Sequence, residues 1–418
     1  MRRVLVVTIG ETGHVNPVMP VVERLLRDGH EVGWVCLGKE APQSLARSGV
    51  PILPLPRPIP RWDEVPSASA AQGEDGPRDL SNGQGILDLV PEEVAILTAV
   101  VESFRPSVLA ADPYVHAASI TAERMRLPYL GVSTSLEPVA PGSTWPEHVL
   151  GGPAGWAWIN DALSKVYARF GQSPRLAFRN FLSPHGTTVF ATEALVGEPP
   201  PGVHLVGPSI PLSPRSDAAG FSWDRLDGRP LLYVAFGTQV SHQAERARRV
   251  IQAAAPLDCQ IVVASAEVTR SPLAGELSGR ALLVEYAPQP ALLARARGFV
   301  THGGANSVAE ALASGTPMLV CPVDLDQFFQ AGFVPASGAG LSVDLLKRDV
   351  GHAHGALAGR VQDALEPLGV DRGDGRRNVH GRGLYELQPP ASATRRRATS
   401  PAPSRRRYSS AISRARAR

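Results

Sequence analysis

The sequence predicts an α/β protein made of two doubly wound, Rossmann-like domains that face each other across a cleft. Three observations carry this reading. Short apolar runs alternate with helical patterns, as in a parallel sheet covered on both faces. The alternation occurs twice, on either side of a Pro/Ser-rich stretch at 207–217 that suits an interdomain linker. The positions His14, Asp112 and Gly237-Thr238 fall at the ends of apolar runs, where the carboxyl edges of open α/β sheets bind ligands.

In the first half, residues 4–8 read as a strand and residues 17–28 as a helix. Asn16 is the expected N-cap of that helix, Pro17 suits its first turn and Gly29 closes it. Further strands are expected at 31–37, 108–111, 130–133, 189–192 and 204–206. The second half repeats the pattern with strands at 231–236, 260–265, 281–286, 298–301 and 318–321. Between 55 and 88 no period is visible, and residues 56–88 read as a loop or lid on the ligand side. The expected organisation is an N-terminal domain at 1–206, a linker at 207–226, a C-terminal domain at 227–368 and a tail at 369–418.

Composition narrows the class. The 418-residue chain is long enough for two cores of ordinary size, and 43% hydrophobic with 19% charged is a globular balance. The net charge of +3 hides an asymmetry: residues 371–418 hold 13 Arg against Asp371, Asp374 and Glu386, so the remainder is mildly acidic. Cys36, Cys259 and Cys321 lie in or beside apolar runs and read as buried small hydrophobes, not as a disulfide framework. The N-terminal apolar run ends at Gly10-Glu-Thr-Gly-His14, too early for a secretory leader, and no window reaches the length of a membrane span. A cytoplasmic enzyme is the expectation.

The chemistry concentrates at residues 299–315. An apolar run ends at Thr301, then His302-Gly303-Gly304 turns the chain, Asn306 and Ser307 open a helix, and Gly315 stands where a helix ends in a left-handed residue. Such a strand–glycine–helix unit aims free N–H groups and a positive dipole end at a phosphate. His302 can add a hydrogen bond, and Glu310 can reach a ribose diol.

The pattern His302-Gly-Gly-x-Asn306-Ser307-x-x-Glu310, followed by Pro322-x-x-x-Asp326-Gln327, resembles the donor signature of family 1 (UGT-type) glycosyltransferases of GT-B fold. The resemblance includes Tyr286-Ala287-Pro288-Gln289 upstream and Gly10-x-x-Gly13-His14-x-x-Pro17 near the N-terminus, and spans roughly residues 1–365. It implies His14 as general base, with Asp112 orienting and stabilising the imidazolium. It implies donor-nucleotide contacts at Gly237, Thr238, Tyr286, Ala287, Gln289, His302, Gly303, Gly304, Asn306, Ser307 and Glu310, and sugar contacts at Asp326 and Gln327. His116 is a weaker competitor for the role of base. Trp62, Trp145, Trp156 and Trp158 suit either an apolar acceptor or simple packing.

The expected activity is inverting, metal-independent transfer of a hexose from a nucleotide diphosphate sugar, UDP-glucose favoured, to a hydroxyl of a small lipophilic acceptor such as a natural product. No cofactor or metal is expected, because Asp324-Leu-Asp326 sits in a sugar-binding context. A UDP-GlcNAc transferase or epimerase of similar fold, or an inactive GT-B binding protein, are the alternatives. The chain departs from the family after the helical pattern at 356–368. Its tail is rich in Arg, Ser, Pro and Ala without apolar period and reads as disordered. Lys occurs only at Lys39, Lys165 and Lys347, against 39 Arg, which implies a GC-rich gene whose shifted reading frame would yield such a tail. A nucleic-acid-binding arm is the less favoured reading.

Overall fold

The computed structural model describes residues 1–64, 80–140, 152–210, 221–237, 240, 242–323, 326–343 and 345. The expected lid is thus described only at 56–64 and 80–88. The helical pattern at 356–368 and the tail lie outside the described residues, as do Thr238, Trp145, Asp324 and the Trp156 side chain.

Two six-stranded parallel sheets organise the chain. The first contains β1 (Arg3–Ile9), β2 (Glu31–Leu37), β3 (Val108–Ala111) and β4 (Tyr129–Ser133). A short antiparallel hairpin of β5 (Leu176–Ala177) and β6 (Asn180–Phe181) precedes its last two strands, β7 (Thr187–Val189) and β8 (Val203–Leu205). The order is β2-β1-β3-β4-β7-β8. The second sheet contains β9 (Leu231–Ala235), β10 (Gln260–Ala264), β11 (Leu282–Val284), β12 (Ala296–Thr301), β13 (Met318–Val320) and β14 (Gly340–Ser342), in the order β11-β10-β9-β12-β13-β14. In each, strand order reverses about the first strand, which opens a crevice between β1 and β3 and another between β9 and β12.

Both sheets are central layers. Successive side chains of β1 alternate between two cores: Leu5, Val7 and Ile9 join the helix Leu80–Phe104, while Val4 and Val6 join Val15, Val18 and Trp34. The second sheet is buried likewise, with Leu232 and Val234 on one face and Leu231 and Tyr233 on the other. Each fully buried Val or Leu contributes about 1.5–3 kcal/mol. A further apolar cluster joins the halves: Phe329, from the helix Gln327–Ala336, packs among Leu136, Val189, Ala191, Leu195 and Val203.

Several expectations need correction. The helix foreseen at 17–28 is present as Met19–Arg27, but a separate helical turn, Thr12–Val15, precedes it, and Asn16 is the C-cap of that turn instead of an N-cap. The short first turn packs Val15 into the core and brings His14 over the sheet edge. The supposed loop at 56–88 contains the turn Trp62–Glu64 and the start of the helix Leu80–Phe104. Leu87 and Val90 supply that helix with buried anchors. Cys36, Cys259 and Cys321 are free and buried. No helix among the described residues is long and apolar enough to cross a membrane.

Candidate active site

The crevice of the first sheet holds a histidine–carboxylate pair. His14 follows β1 and Asp112 follows β3, so the sheet's own hydrogen-bonded neighbours bring together residues far apart in sequence. His14 Nδ1 lies 2.5 Å from Asp112 Oδ2. An ionised carboxylate only accepts, so Nδ1 carries the proton and Nε2 is left as the basic nitrogen. Thr134 Oγ1 lies 3.0 Å from the same Nδ1, and the Tyr114 ring meets the imidazole edge-on with centroids 5.6 Å apart. Burial opposes charging of His14, but Asp112, with smaller contributions from Glu11 and Asp326, offsets this and leaves its pKa above the usual 6.5. Asp112 is fully buried, and its Oδ1 accepts from the Tyr114 backbone N–H at 3.0 Å, so it also shapes the turn after β3. His116, the weaker candidate, packs edge-on to Tyr167 and Phe181 with Nδ1 3.1 Å from the Tyr167 hydroxyl. Burial depresses its pKa to about 4, so it is a neutral core residue.

The crevice of the second sheet holds the glycine-built cradle. Gly237 follows β9 with φ 75°, and His302 follows β12 beside it. A Cβ on Gly237 would lie 2.7 Å from the His302 ring and one on Gly304 2.6 Å, so a side chain at either place would displace the imidazole. The helix Ala305–Ser314 starts one residue before the expected Asn306 and ends at Gly315 with φ 62°, the left-handed cap foreseen. Its N-cap is Gly304, which has no side chain to satisfy the first-turn N–H groups, and these stay available to an anion. The Gly303 N–H is instead taken by Thr301 Oγ1 at 3.2 Å. Burial pushes His302 down to about 4, so its ring is neutral at pH 7. Its Nδ1 is buried without a hydrogen-bond partner.

Gln289, Ser307 and Glu310 converge next to the cradle. Gln289 Nε2 donates to Glu310 Oε2 at 2.8 Å and to Ser307 Oγ at 3.2 Å, and Glu310 is buried, unlike a solvated helix residue. Ala287 is buried, whereas Tyr286 is 60% exposed, an open aromatic face suited to stacking. Asp326 caps the helix Gln327–Ala336, and Gln327 Oε1 accepts from the Val323 N–H at 2.8 Å. The two crevices also touch: Asn306 Nδ2 donates to the Gly13 carbonyl at 3.1 Å, linking the helix Ala305–Ser314 to the turn that carries His14.

Sequence reasoning missed a buried polar network beside His14. Glu137 accepts from Tyr114 Oη at 2.5 Å, from Arg179 Nε at 3.2 Å and Nη2 at 2.5 Å, and from Asn180 Nδ2 at 2.5 Å. A lone acid within the apolar, Ser-rich run at 130–140 was the available signal. Trp62, which sequence reasoning left between acceptor contact and packing, lies against Gly38 and donates from Nε1 to buried Glu93 at 2.8 Å.

Two doubly wound domains, a histidine–carboxylate pair in one crevice and an anion-ready helix in the other, define a nucleotide-sugar-dependent glycosyltransferase. Comparison with known proteins agrees. Residues 227–363 match the family model described as UDP-glucoronosyl and UDP-glucosyl transferase. The 4'-demethylrebeccamycin synthase of Lentzea aerocolonigenes is 29% identical over 391 residues, covering 84% of this chain and 90% of that protein. The demethyllactenocin mycarosyltransferase of Streptomyces fradiae is 27% identical over 336 residues, 74% of this chain and 68% of its own. Among solved structures, the kitacinnamycin glycosyltransferase superposes with a TM-score of 0.60 at 21% identity, covering 87% of this chain and 94% of the other. The chain is a glycosyltransferase of GT-B fold that resembles family 1, UGT-type enzymes and, among them, bacterial natural-product glycosyltransferases.

Proposed function

We propose that the protein transfers a hexose, with glucose from UDP-glucose as the favoured case, to a hydroxyl of a small lipophilic natural product, with inversion and without a metal. The observation that carries this reading is the His14–Asp112 pair, whose basic Nε2 belongs to one domain while the nucleotide cradle belongs to the other. Attack from one side and departure toward the other amounts to a single displacement, which inverts the anomeric centre. Nε2 takes the acceptor proton, and Asp112 stabilises the resulting imidazolium. The first-turn N–H groups of the helix Ala305–Ser314, with His302, receive the charge that develops on the leaving diphosphate. Asp326 and Gln327 supply acceptors and donors for adjacent sugar hydroxyls, and Gln289 and Glu310 the ribose contacts. The lipophilic acceptor is supported by the relatives' printed names, which are those of natural-product enzymes.

The test is an acceptor screen by mass spectrometry with UDP-glucose, UDP-GlcNAc and TDP-sugars, in EDTA. A hexoside formed from UDP-glucose, with inverted anomeric configuration by NMR, supports the reading. Turnover only with another donor corrects the sugar, since one relative is by name a mycarosyltransferase. Loss of activity in chelator, restored by Mn²⁺, contradicts metal independence.

A further inference from the structure

We propose that Arg179 is a positioning residue shared by both halves of the reaction: through Tyr114 it fixes the ring of His14, and the turn that carries it braces the helix that begins at Asp326. The proposal rests on the assignment of His14 as base and Asp326 as sugar contact.

Arg179 is presented by the tight turn between β5 and β6. The first turn residue, Phe178, has φ 53°, a left-handed value that two-residue hairpins demand and that a bulky side chain adopts at a cost. Two contacts hold the turn in place. On the acceptor side, the Arg179 guanidinium bonds to fully buried Glu137, lies 4.8 Å from the Tyr114 ring centroid and donates to the Tyr114 hydroxyl at 2.9 Å. Tyr114 in turn meets His14 edge-on, and its N–H binds Asp112. The base is therefore two contacts away from Arg179. On the donor side, Phe178 packs on Phe329 with ring centroids 5.3 Å apart, and Phe329 belongs to the helix that Asp326 caps. Leu136, next to Glu137, lines the same apolar cluster. The segments that hold the ion pair are thus the segments that grip the donor helix.

Electrostatics give the arrangement a purpose. Asp326 feels Glu137, Arg179 and His14 from the acceptor domain and Gln330 from its own helix. Burial and Glu137 push its carboxyl up to about 6, while Arg179 and His14 pull it back. With Arg179 in place Asp326 is largely ionised at neutral pH and can accept from two sugar hydroxyls. Without it, only His14 and Gln330 would oppose burial and Glu137, so the Asp326 carboxyl would move further up and lose part of its acceptor capacity at neutral pH. Loss of Glu137 has the opposite sign.

The experiment follows the Asp326 carboxyl of the full chain by ¹³C NMR through pH 4–9, assigned with Asp326→Asn. Calorimetric affinities for UDP-glucose and UDP are measured alongside. The midpoint should lie near 6 in the wild type. It should rise in Arg179→Gln and fall in Glu137→Gln, and the preference for UDP-glucose over UDP at pH 7 should drop about fivefold or more in Arg179→Gln. Arg179→Lys keeps the charge but loses the flat stack on Tyr114, so it should leave the midpoint near the wild-type value while lowering kcat. Should Arg179→Gln fail to fold, because it leaves Glu137 buried and unpaired, Glu137→Gln and Arg179→Lys still decide. Midpoints that stay put or move together overturn the proposal, as does a shifted midpoint with an unchanged sugar preference. A wild type that binds neither nucleotide refutes the donor reading instead, and the midpoints then decide this one.

Discussion

The two crevices share a plan and solve opposite electrostatic problems. In the first, Asp112 follows the strand beside the switch point, and it and further acids favour the protonated form of His14. In the second, the corresponding strand ends in His302, packed between glycines and held neutral by burial. A base needs a charge-stabilising environment, whereas a phosphate cradle needs donors and close backbone approach. The same doubly wound scaffold supplies both because only the residues after its strands differ.

The largest effect should come from breaking the first crevice. His14→Ala should lower kcat by about 10²-fold or more, since a positioned base contributes about 10²–10⁴. UDP affinity by calorimetry should stay nearly unchanged, and undiminished turnover would remove His14 from the mechanism. Breaking the second crevice should move binding as well. Gly304→Ala puts a Cβ 2.6 Å from the His302 ring and should weaken UDP affinity about tenfold, with His302→Ala acting in the same direction. Equal UDP affinity in both variants would mean that the cradle lies elsewhere.

How far these crevices were legible from sequence depends on range. His302, Gly303, Gly304 and Glu310 form one local strand–turn–helix pattern, so their grouping was readable, as was the left-handed cap at Gly315. The pairing of His14 with Asp112 was readable from the family resemblance together with the placement of both at strand ends. Glu137, Arg179 and Tyr114 carry no local pattern, because their partnership exists only once the β5–β6 hairpin folds back on the turn after β4. Asn306 was legible as a helix-start residue but not as a donor to Gly13. The extra turn Thr12–Val15 escaped because Pro17 marks the following helix start, and only the backbone bonds from the Val15 and Asn16 N–H groups to Glu11 and Thr12 reveal it. The readings of the tail, including a shifted frame, concern residues outside the described ones.

The smallest effect lies away from both crevices. Glu93 is fully buried against Trp62 with Oε2 unpaired, and burial raises its carboxyl to about 7. An acid whose folded pKa is raised stabilises the fold below its unfolded value of 4.5 and loses that contribution as pH rises through about 7. Glu93→Gln should therefore gain stability over the wild type between pH 5 and pH 8, by on the order of 2 kcal/mol. Thermal melts at the two pH values measure this, and a difference independent of pH would show that burial does not shift the Glu93 carboxyl from its unfolded value.

The contrast between an anionic base site and a neutral cradle is tested most directly by the pH dependence of kcat/KM in wild type and Asp112→Asn, measured at saturating UDP-glucose with the acceptor varied. The base acts deprotonated, so activity should rise with pH, through a wild-type midpoint above 6.5 because Asp112 favours the imidazolium. In Asp112→Asn the midpoint should move to lower pH and the plateau should fall. An identical midpoint in both proteins, or a wild-type profile flat from pH 5 to 9, would contradict His14–Asp112 as the base.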